Sequence, residues 1–318
     1  MDKIKGGWTY LAVMGIYLVT IAINFLVPDA KGQEVGSKAV FTGLLLIIFA
    51  CCLFYYVVGY WFKRFSSISV RTFFDAMGVF GIALLLWTIF LAKSGILDPI
   101  HWPSPDRTFN VLVMDRDQFA KGISASMFRL AKGISLGLVL ALPLGLIVGW
   151  YERLFRLVYP LAKFIGPIPA VVYIPYALIV FPNVDQVTVF IVFISVFWPA
   201  FINMVYGVAS VDRRFIDAAK TLGGSGWRIV TKVVLPAAMP TAFAGILLGL
   251  IMGIVMLTVA ETVGAASGIG YYLMYYKDVA AYDRIVADIF VIAGCVYFWT
   301  YFFDKVQDRT LRWQRGSK

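Results

Sequence analysis

The sequence predicts an all-α polytopic membrane protein with about eight transmembrane helices, and three observations carry the expectation. The composition is 61% hydrophobic and only 14% charged, with a mean hydropathy of +0.83, whereas an ordinary soluble domain is about 25% charged. The apolar residues are gathered into runs of spanning length with few or no charges. Lys and Arg are spread unevenly over the segments between those runs.

A bilayer has about 30 Å of hydrocarbon and a helix rises about 1.5 Å per residue, so a span needs about 20 apolar residues. Eight runs approach or exceed that length: residues 8–27, 39–61, 73–92, 124–150, 168–181, 186–208, 240–263 and 285–303. The first follows Lys3 and Lys5 but is too long for a cleaved signal. Pro28-Asp29-Ala30 is also a poor cleavage site, so the run reads as a retained anchor. The fifth is the weakest, since it is short, contains Pro169 and Pro175, and is flanked by Pro167 and Pro182. Proline removes a backbone donor, so this stretch is expected to be kinked or broken and covered by neighbouring helices.

Charge chooses the topology. With eight spans and both termini inside, the inner segments hold 18 of the 28 Lys and Arg, from Lys3 and Lys5 to Arg315 and Lys318, and the outer loops hold 8. Cytoplasmic loops collect basic residues, so the N- and C-termini are expected in the cytoplasm. A seven-span reading with a re-entrant fifth run would put the later loops on the wrong sides. The net charge of +10 is then a consequence of topology, and no nucleic-acid partner is needed.

Catalytic chemistry finds little support. Cys51, Cys52 and Cys295 fall inside spans and read as free thiols acting as small apolar side chains. His101 is the single histidine, which excludes a multi-histidine metal site. No G-x-x-x-x-G-K-[ST], G-x-S-x-G or H-E-x-x-H occurs. No catalytic residue, metal or cofactor is therefore expected on this chain.

Two runs carry stripes of small residues. Gly245, Gly249 and Gly253 recur every fourth residue in the seventh, and Gly133, Gly137, Gly145 and Gly149 mark the fourth. Such spacing lets helix backbones approach closely in lipid. Packing within one subunit is the favoured reading, with a dimer seam as the alternative. Both helices are expected to be central in the bundle.

The loop over residues 210–236 is the most informative segment. Asp212 can cap a short helix, and Gly223 or Gly224 can end it in the left-handed conformation. Phe215, Ala218, Ala219 and Leu222 then share one apolar face at i, i+3, i+4 and i+7. Ser225 is placed to cap a second short helix carrying Trp227 and Ile229, with Pro236 and Pro240 at the entry to the next span. An apolar face of this kind needs a docking partner, or else lies on lipid headgroups, which its five basic residues would also suit.

The spacing Asp217-Ala218-Ala219, Gly223, nine residues, then Val233-Val234-Leu235-Pro236 resembles the E-A-A-x3-G-x9-I-x-L-P motif of permease subunits of bacterial ABC importers. Asp stands for Glu and Val for Ile. Trp102-Pro103-Ser104-Pro105, Leu142-Pro143-Leu144-Gly145, Gly166-Pro167-Ile168-Pro169-Ala170, and Ala260-Glu261 followed by Ser267-Gly268-Ile269-Gly270 are similar to the nitrate, sulfonate, taurine and bicarbonate branch of type I importers. The resemblance covers about residues 73–303. It implies a permease core over 73–318 and a two-helix N-terminal membrane extension over 1–72.

The resemblance also implies a mechanism. Two copies of the chain would form a pathway in the bacterial inner membrane, two ATPase subunits holding ATP and Mg would bind the coupling loops, and a periplasmic binding protein would deliver a small, anionic solute. Asp217 would cap or dock, Ala218, Ala219, Leu222 and Trp227 would meet the ATPase, Gly223 would reverse the chain, and Pro236 would open the next span. Pathway candidates are Glu261, an acid at the end of a long uncharged stretch, with Arg129 and Lys132 one turn apart on the fourth run. Glu261 also reads as a structural partner of Arg129 or Lys132, and the two cations also read as snorkelling to the interface. Asp288 is expected at the outer interface, and Tyr297, Phe298, Trp299, Tyr301, Phe302 and Phe303 at the inner aromatic belt. One rival is a secondary transporter or channel without a motor. The other is a membrane transferase, supported only by Asp98, His101, Asp106, Asp115 and Asp117.

Overall fold

The computed structural model describes residues 7–33, 35, 37–61 and 67–312. Lys3, Lys5, Lys63, Arg64, Arg315 and Lys318, which entered the charge count, lie outside the described residues. Among the described residues every regular element is a helix, and seven stretches are long and apolar enough to cross a membrane. An eighth is counted if one bent pair forms a single span.

The helices cluster into two compact units, Met1–Asp117 with Tyr276–Asp288, and Gln118–Tyr275 with Ile289–Lys318. In the first, α1 (Gly7–Leu26), α2 (Ala39–Trp61) and α3 (Ser67–Trp87) share a core of Tyr10, Tyr17, Phe41, Leu45, Phe74 and Leu84. Beyond α3 a π-helical turn, Thr88–Lys93, delivers Lys93 to the end of α1. There Lys93 Nζ donates to the Asn24 and Val27 carbonyls and to Asp29 at 2.6 Å. A cation at a helix C-terminus meets carbonyls that have no intrahelical partner. Lys38 reaches the same Asp29 at 3.0 Å. Burial alone would raise the Asp29 carboxyl, but the hydrogen bonds and charges of the two lysines outweigh it and hold it below its ordinary value.

The Trp102-Pro103-Ser104-Pro105 segment is a helix start. Ser104 Oγ accepts from Arg107 N and Pro105 takes the first turn of α4 (Pro105–Met114), where a missing N–H costs nothing. Asp288, expected at the interface, is instead fully buried.

The second unit is organised on α8 (Val184–Ala209), against which α5 (Arg116–Trp150) and α11 (Leu235–Thr262) pack. The glycine stripes explain why. A Cβ on Gly133 would lie 2.6 Å from Val192 Cβ, and one on Gly149 2.6 Å from Val208 Cβ. From the α11 side, a Cβ on Gly249 would lie 3.0 Å from Val196 Cα and from its carbonyl oxygen. Both stripes are thus spent within one chain, each letting a backbone close on α8.

Three element boundaries differ from the sequence expectation. The fifth run is not a continuous span, since Ala170–Tyr173 is a 3-10 turn and α7 (Ile174–Val180) has seven residues. The prolines break it. With the amphipathic α6 (Glu152–Ile165) it forms the pair bent by 84°. The fourth helix starts eight residues before its apolar run, at Arg116. The seventh is continuous with the preceding loop, because α10 (Gly226–Ile229) passes through a π turn, Val230–Val234, into α11. The wider turn accommodates Pro236, whose ring would clash with the carbonyl four residues back in a regular helix. The aromatic residues of α13 (Tyr282–Thr310) also divide: Tyr297, Phe298, Tyr301 and Phe302 are exposed, whereas Trp299 donates to Met127 Sδ and Phe303 is buried.

Candidate functional site

Two places in the second unit collect the residues singled out in the sequence. The first is at the C-terminal end of α11. Glu261 is buried there, its side chain 0% exposed, beside Arg129 of α5 at 7%. Arg129 Nη1 donates to Glu261 Oε1 at 2.8 Å and to the Ser267 carbonyl at 2.8 Å. Nε and Nη2 meet Asp185 Oδ1 at 2.8 and 2.7 Å, and Nη2 reaches Ser267 Oγ at 3.2 Å. A guanidinium has five N–H donors, and four hydrogen bonds with the Nη2–Asp185 ion-pair contact engage all three of its nitrogens.

The far side of the carboxylate is equally engaged. Ser126 Oγ lies 2.7 and 2.8 Å from the two Glu261 oxygens and accepts from Ile269 N at 2.9 Å. Gly270 N donates to Glu261 Oε2 at 3.0 Å. Gly268 has φ +129, and a Cβ on it would sit 2.5 Å from Glu261 Cδ, so the loop backbone can lie on the carboxylate only where the side chain is a hydrogen. The arrangement clamps α5, α8, α11 and the loop entering α12 (Ile269–Asp278) through one buried charge pair. Lys132 is not part of it. Its Nζ rests over the Phe128 ring at 4.1 Å, on the wall of a cavity of about 590 Å³ that Arg129 and Asp185 also line.

The second place is the hairpin of α9 (Arg213–Thr221) and α10. Asp212 caps α9, accepting from Arg214 N at 2.9 Å, and the Arg214 guanidinium and N–H together hold its carboxyl below the ordinary range. Gly223, at φ +81, reverses the chain. Ser225 precedes α10 in an extended conformation but makes no side-chain cap bond. The expected apolar face is split. Ala219 and Ile216 turn inward onto Ile229 and Val230, whereas Phe215 is 62% and Leu222 89% exposed, with Ala218 also outward. Trp227, 61% exposed, adds to the outward patch, and Pro236 is half-buried at the start of α11. Asp217 pairs with Lys220 at 3.2 Å on the exposed side.

Sequence reading left Arg129 and Lys132 as alternative partners of Glu261 and named Ser267 only within a motif; the structure selects Arg129 and adds Ser126 and Asp185, which the sequence did not single out. Their separation along the chain, 135 residues between Ser126 and Glu261, leaves no local signal. The acids and histidine that could serve a transferase are tied into separate structural contacts of the first unit. Asn24 donates to Asp106, His101 meets Asp98, and Arg284 donates to Asp115. Among the described residues no group of three or more His, Cys, Asp or Glu could hold a metal ion.

Residues 133–312 match the family described as the binding-protein-dependent transport system inner membrane component. A putative ABC transporter permease of Methanocaldococcus jannaschii is 27% identical over 66% of this chain and 81% of its own length. The bicarbonate transport system permease of Synechococcus elongatus is 30% identical, over 50% of this chain and 60% of its own. A putative aliphatic sulfonates transport permease of Bacillus subtilis is 25% identical, over 74% and 86%. In fold, the chain is similar to one from the MetNI methionine ABC transporter in inward-facing conformations, with a TM-score of 0.55, 17% identity, and coverage of 62% of this chain and 98% of that one. The glycine-seamed bundle, the proline-broken pair and the capped hairpin all fall within the matched segment or border it. The chain therefore belongs to the inner-membrane permeases of binding-protein-dependent ABC importers, multi-pass transport proteins rather than enzymes, with ATP hydrolysis on a partner subunit.

Proposed function

We propose that this permease passes a small anionic solute into the cytoplasm and takes its drive through the α9–α10 hairpin from a separate ATPase subunit. The observation that carries the reading is the outward patch of Phe215, Leu222 and Trp227 on a hairpin whose own fold is complete without them. Exposed aromatic and aliphatic side chains on a rigid, capped element suit a groove in a partner, and Ala218 allows close approach. Gly223 sets the angle between the helices, Asp217 lies at the rim, and Pro236 passes the hairpin's displacement into α11. The E-A-A-like spacing supports the same assignment.

In this reading two permease copies, two ATPase subunits carrying ATP and Mg, and a periplasmic binding protein make up the importer, and both termini lie in the cytoplasm. The names of the bicarbonate and sulfonate relatives support an anion. Glu261, Arg129 and their partners act as the clamp that keeps α5, α8 and α11 moving as one body, while Lys132 remains accessible on the cavity wall.

Phe215→Asp with Leu222→Asp tests the coupling. The ATPase subunit is expected to be lost on co-purification and uptake abolished, with the permease's melting temperature unchanged because both side chains are exposed. Normal co-purification and uptake would refute the assignment. Uptake by the purified chain alone under an ion gradient would favour a secondary transporter.

A further inference from the structure

We propose that the groove between α5 and α8 binds the headgroup and one acyl chain of a zwitterionic phospholipid bearing a primary ammonium, phosphatidylethanolamine in chemical class. The proposal goes beyond solute import and requires only that α5 and α8 cross the bilayer.

The groove is the cavity of about 590 Å³ beside the clamp. Successive glycines of α5 meet successive turns of α8, Gly133 at Val192, Gly137 at Val196 and Gly149 at Val208, so the two helices run parallel. Their polar ends therefore lie at one level. Arg129 and Lys132 on α5 and Asp185 and Gln186 on α8 line that end, and Leu136, Leu140, Val189 and Phe193 line the rest. Lys132 to Leu140 is eight residues, about 12 Å along the helix, or some two-fifths of the ~30 Å hydrocarbon thickness. A polar mouth leading into an apolar channel along the membrane normal matches an amphiphile rather than a compact ion.

Charge selects the headgroup. All three Arg129 nitrogens are already engaged, and its charge is shared between Glu261 and Asp185. Lys132 forms no ion pair among the described residues, and its Nζ lies over the Phe128 ring at 4.1 Å from the ring centre. Asp185 is held by Arg129 on one side, but its side chain is 67% exposed, leaving acceptor capacity free. One cation and one anion at the same mouth suit a phosphate on Lys132 and an ammonium donating to Asp185. A choline headgroup has no N–H to donate, and a headgroup carrying only negative charge would bring no cation to the exposed side of Asp185. A small inorganic anion would engage Lys132 alone and leave the apolar length of the groove unfilled.

The test is native mass spectrometry of the permease–ATPase complex after exchange into nanodiscs of phosphatidylethanolamine, phosphatidylcholine or phosphatidylglycerol. Retention of phosphatidylethanolamine at about tenfold higher occupancy is expected, the worth of one charge-assisted hydrogen bond. Lys132→Glu and, independently, Leu140→Trp are expected to remove it. The ATPase peak in the same spectra reports assembly, so loss of lipid and loss of coupling are read separately. Equal retention of the three lipids, or retention unchanged in both variants, would overturn the proposal. So would disulfide cross-linking of two copies through Leu136→Cys, which would put a second chain over the groove, or displacement of the lipid by millimolar bicarbonate or ethanesulfonate.

Discussion

Replacing Arg129 by Met removes the cation from a carboxylate that has no other charge to meet. Glu261 is fully buried and would keep only Ser126 Oγ and Gly270 N, while Asp185, largely exposed, would fall back on water. Removing one partner of a buried ion pair costs about 3–5 kcal/mol. The two remaining hydrogen bonds put the expected loss near the lower end, about 3 kcal/mol, and the exposed Asp185 pair adds little. The assay is the unfolding free energy in mixed micelles, from titration with a denaturing detergent, for wild type, Arg129→Met, Glu261→Gln and the double variant. Glu261→Gln keeps an acceptor for Ser126 and leaves Arg129 with Asp185 and Ser267. The double variant is expected to be less destabilised than the sum of the singles by about 1–3 kcal/mol, since the residues share one network. A loss below about 1 kcal/mol for Arg129→Met, or strict additivity, would show that the pair does not hold the bundle together.

Three further outcomes follow from separate features. The two lysines hold the folded-state Asp29 carboxyl below its ordinary value of 3.8, so its contribution is present above that pH and is lost as pH falls through the lower, folded value. The difference in melting temperature between wild type and Asp29→Asn should therefore shrink as the pH is lowered from 6 to 3, and a constant difference would contradict the Lys38–Asp29–Lys93 assignment. Gly133→Ala should destabilise by about 1–3 kcal/mol, since its Cβ would lie 2.6 Å from Val192 Cβ and 3.0 Å from the Val189 carbonyl oxygen. Gly15→Ala is its control: nothing lies within 4 Å there, and thermal unfolding should show no loss. Gly223→Ala should cost about 1 kcal/mol from the backbone alone, because φ is +81 and no atom lies within 4 Å of the added Cβ. Faster hydrogen exchange at Gly224, whose N–H donates to the Ala219 carbonyl, would report that local loosening without a change in global melting.

Features whose physics is local were legible in the sequence. Uncharged runs of spanning length announce helices in a bilayer. Asp212 and Gly223 mark the two ends of α9, because a cap and a left-handed residue act within a few positions of themselves. The prolines at 167, 169 and 175 foretold a broken element in the same way. What depends on partners distant in the chain was legible only in the packed bundle. Both glycine stripes close on α8, the face of α9 is divided between Ala219 inside and Phe215 and Leu222 outside, and Glu261 is joined to Arg129 but not to Lys132. Three and four residues along a helix differ by only a fraction of a turn. Which of two neighbouring cations meets the acid is therefore set by how α5 is rotated against α8 and α11, and that rotation is fixed by packing, of which a single sequence carries no direct record.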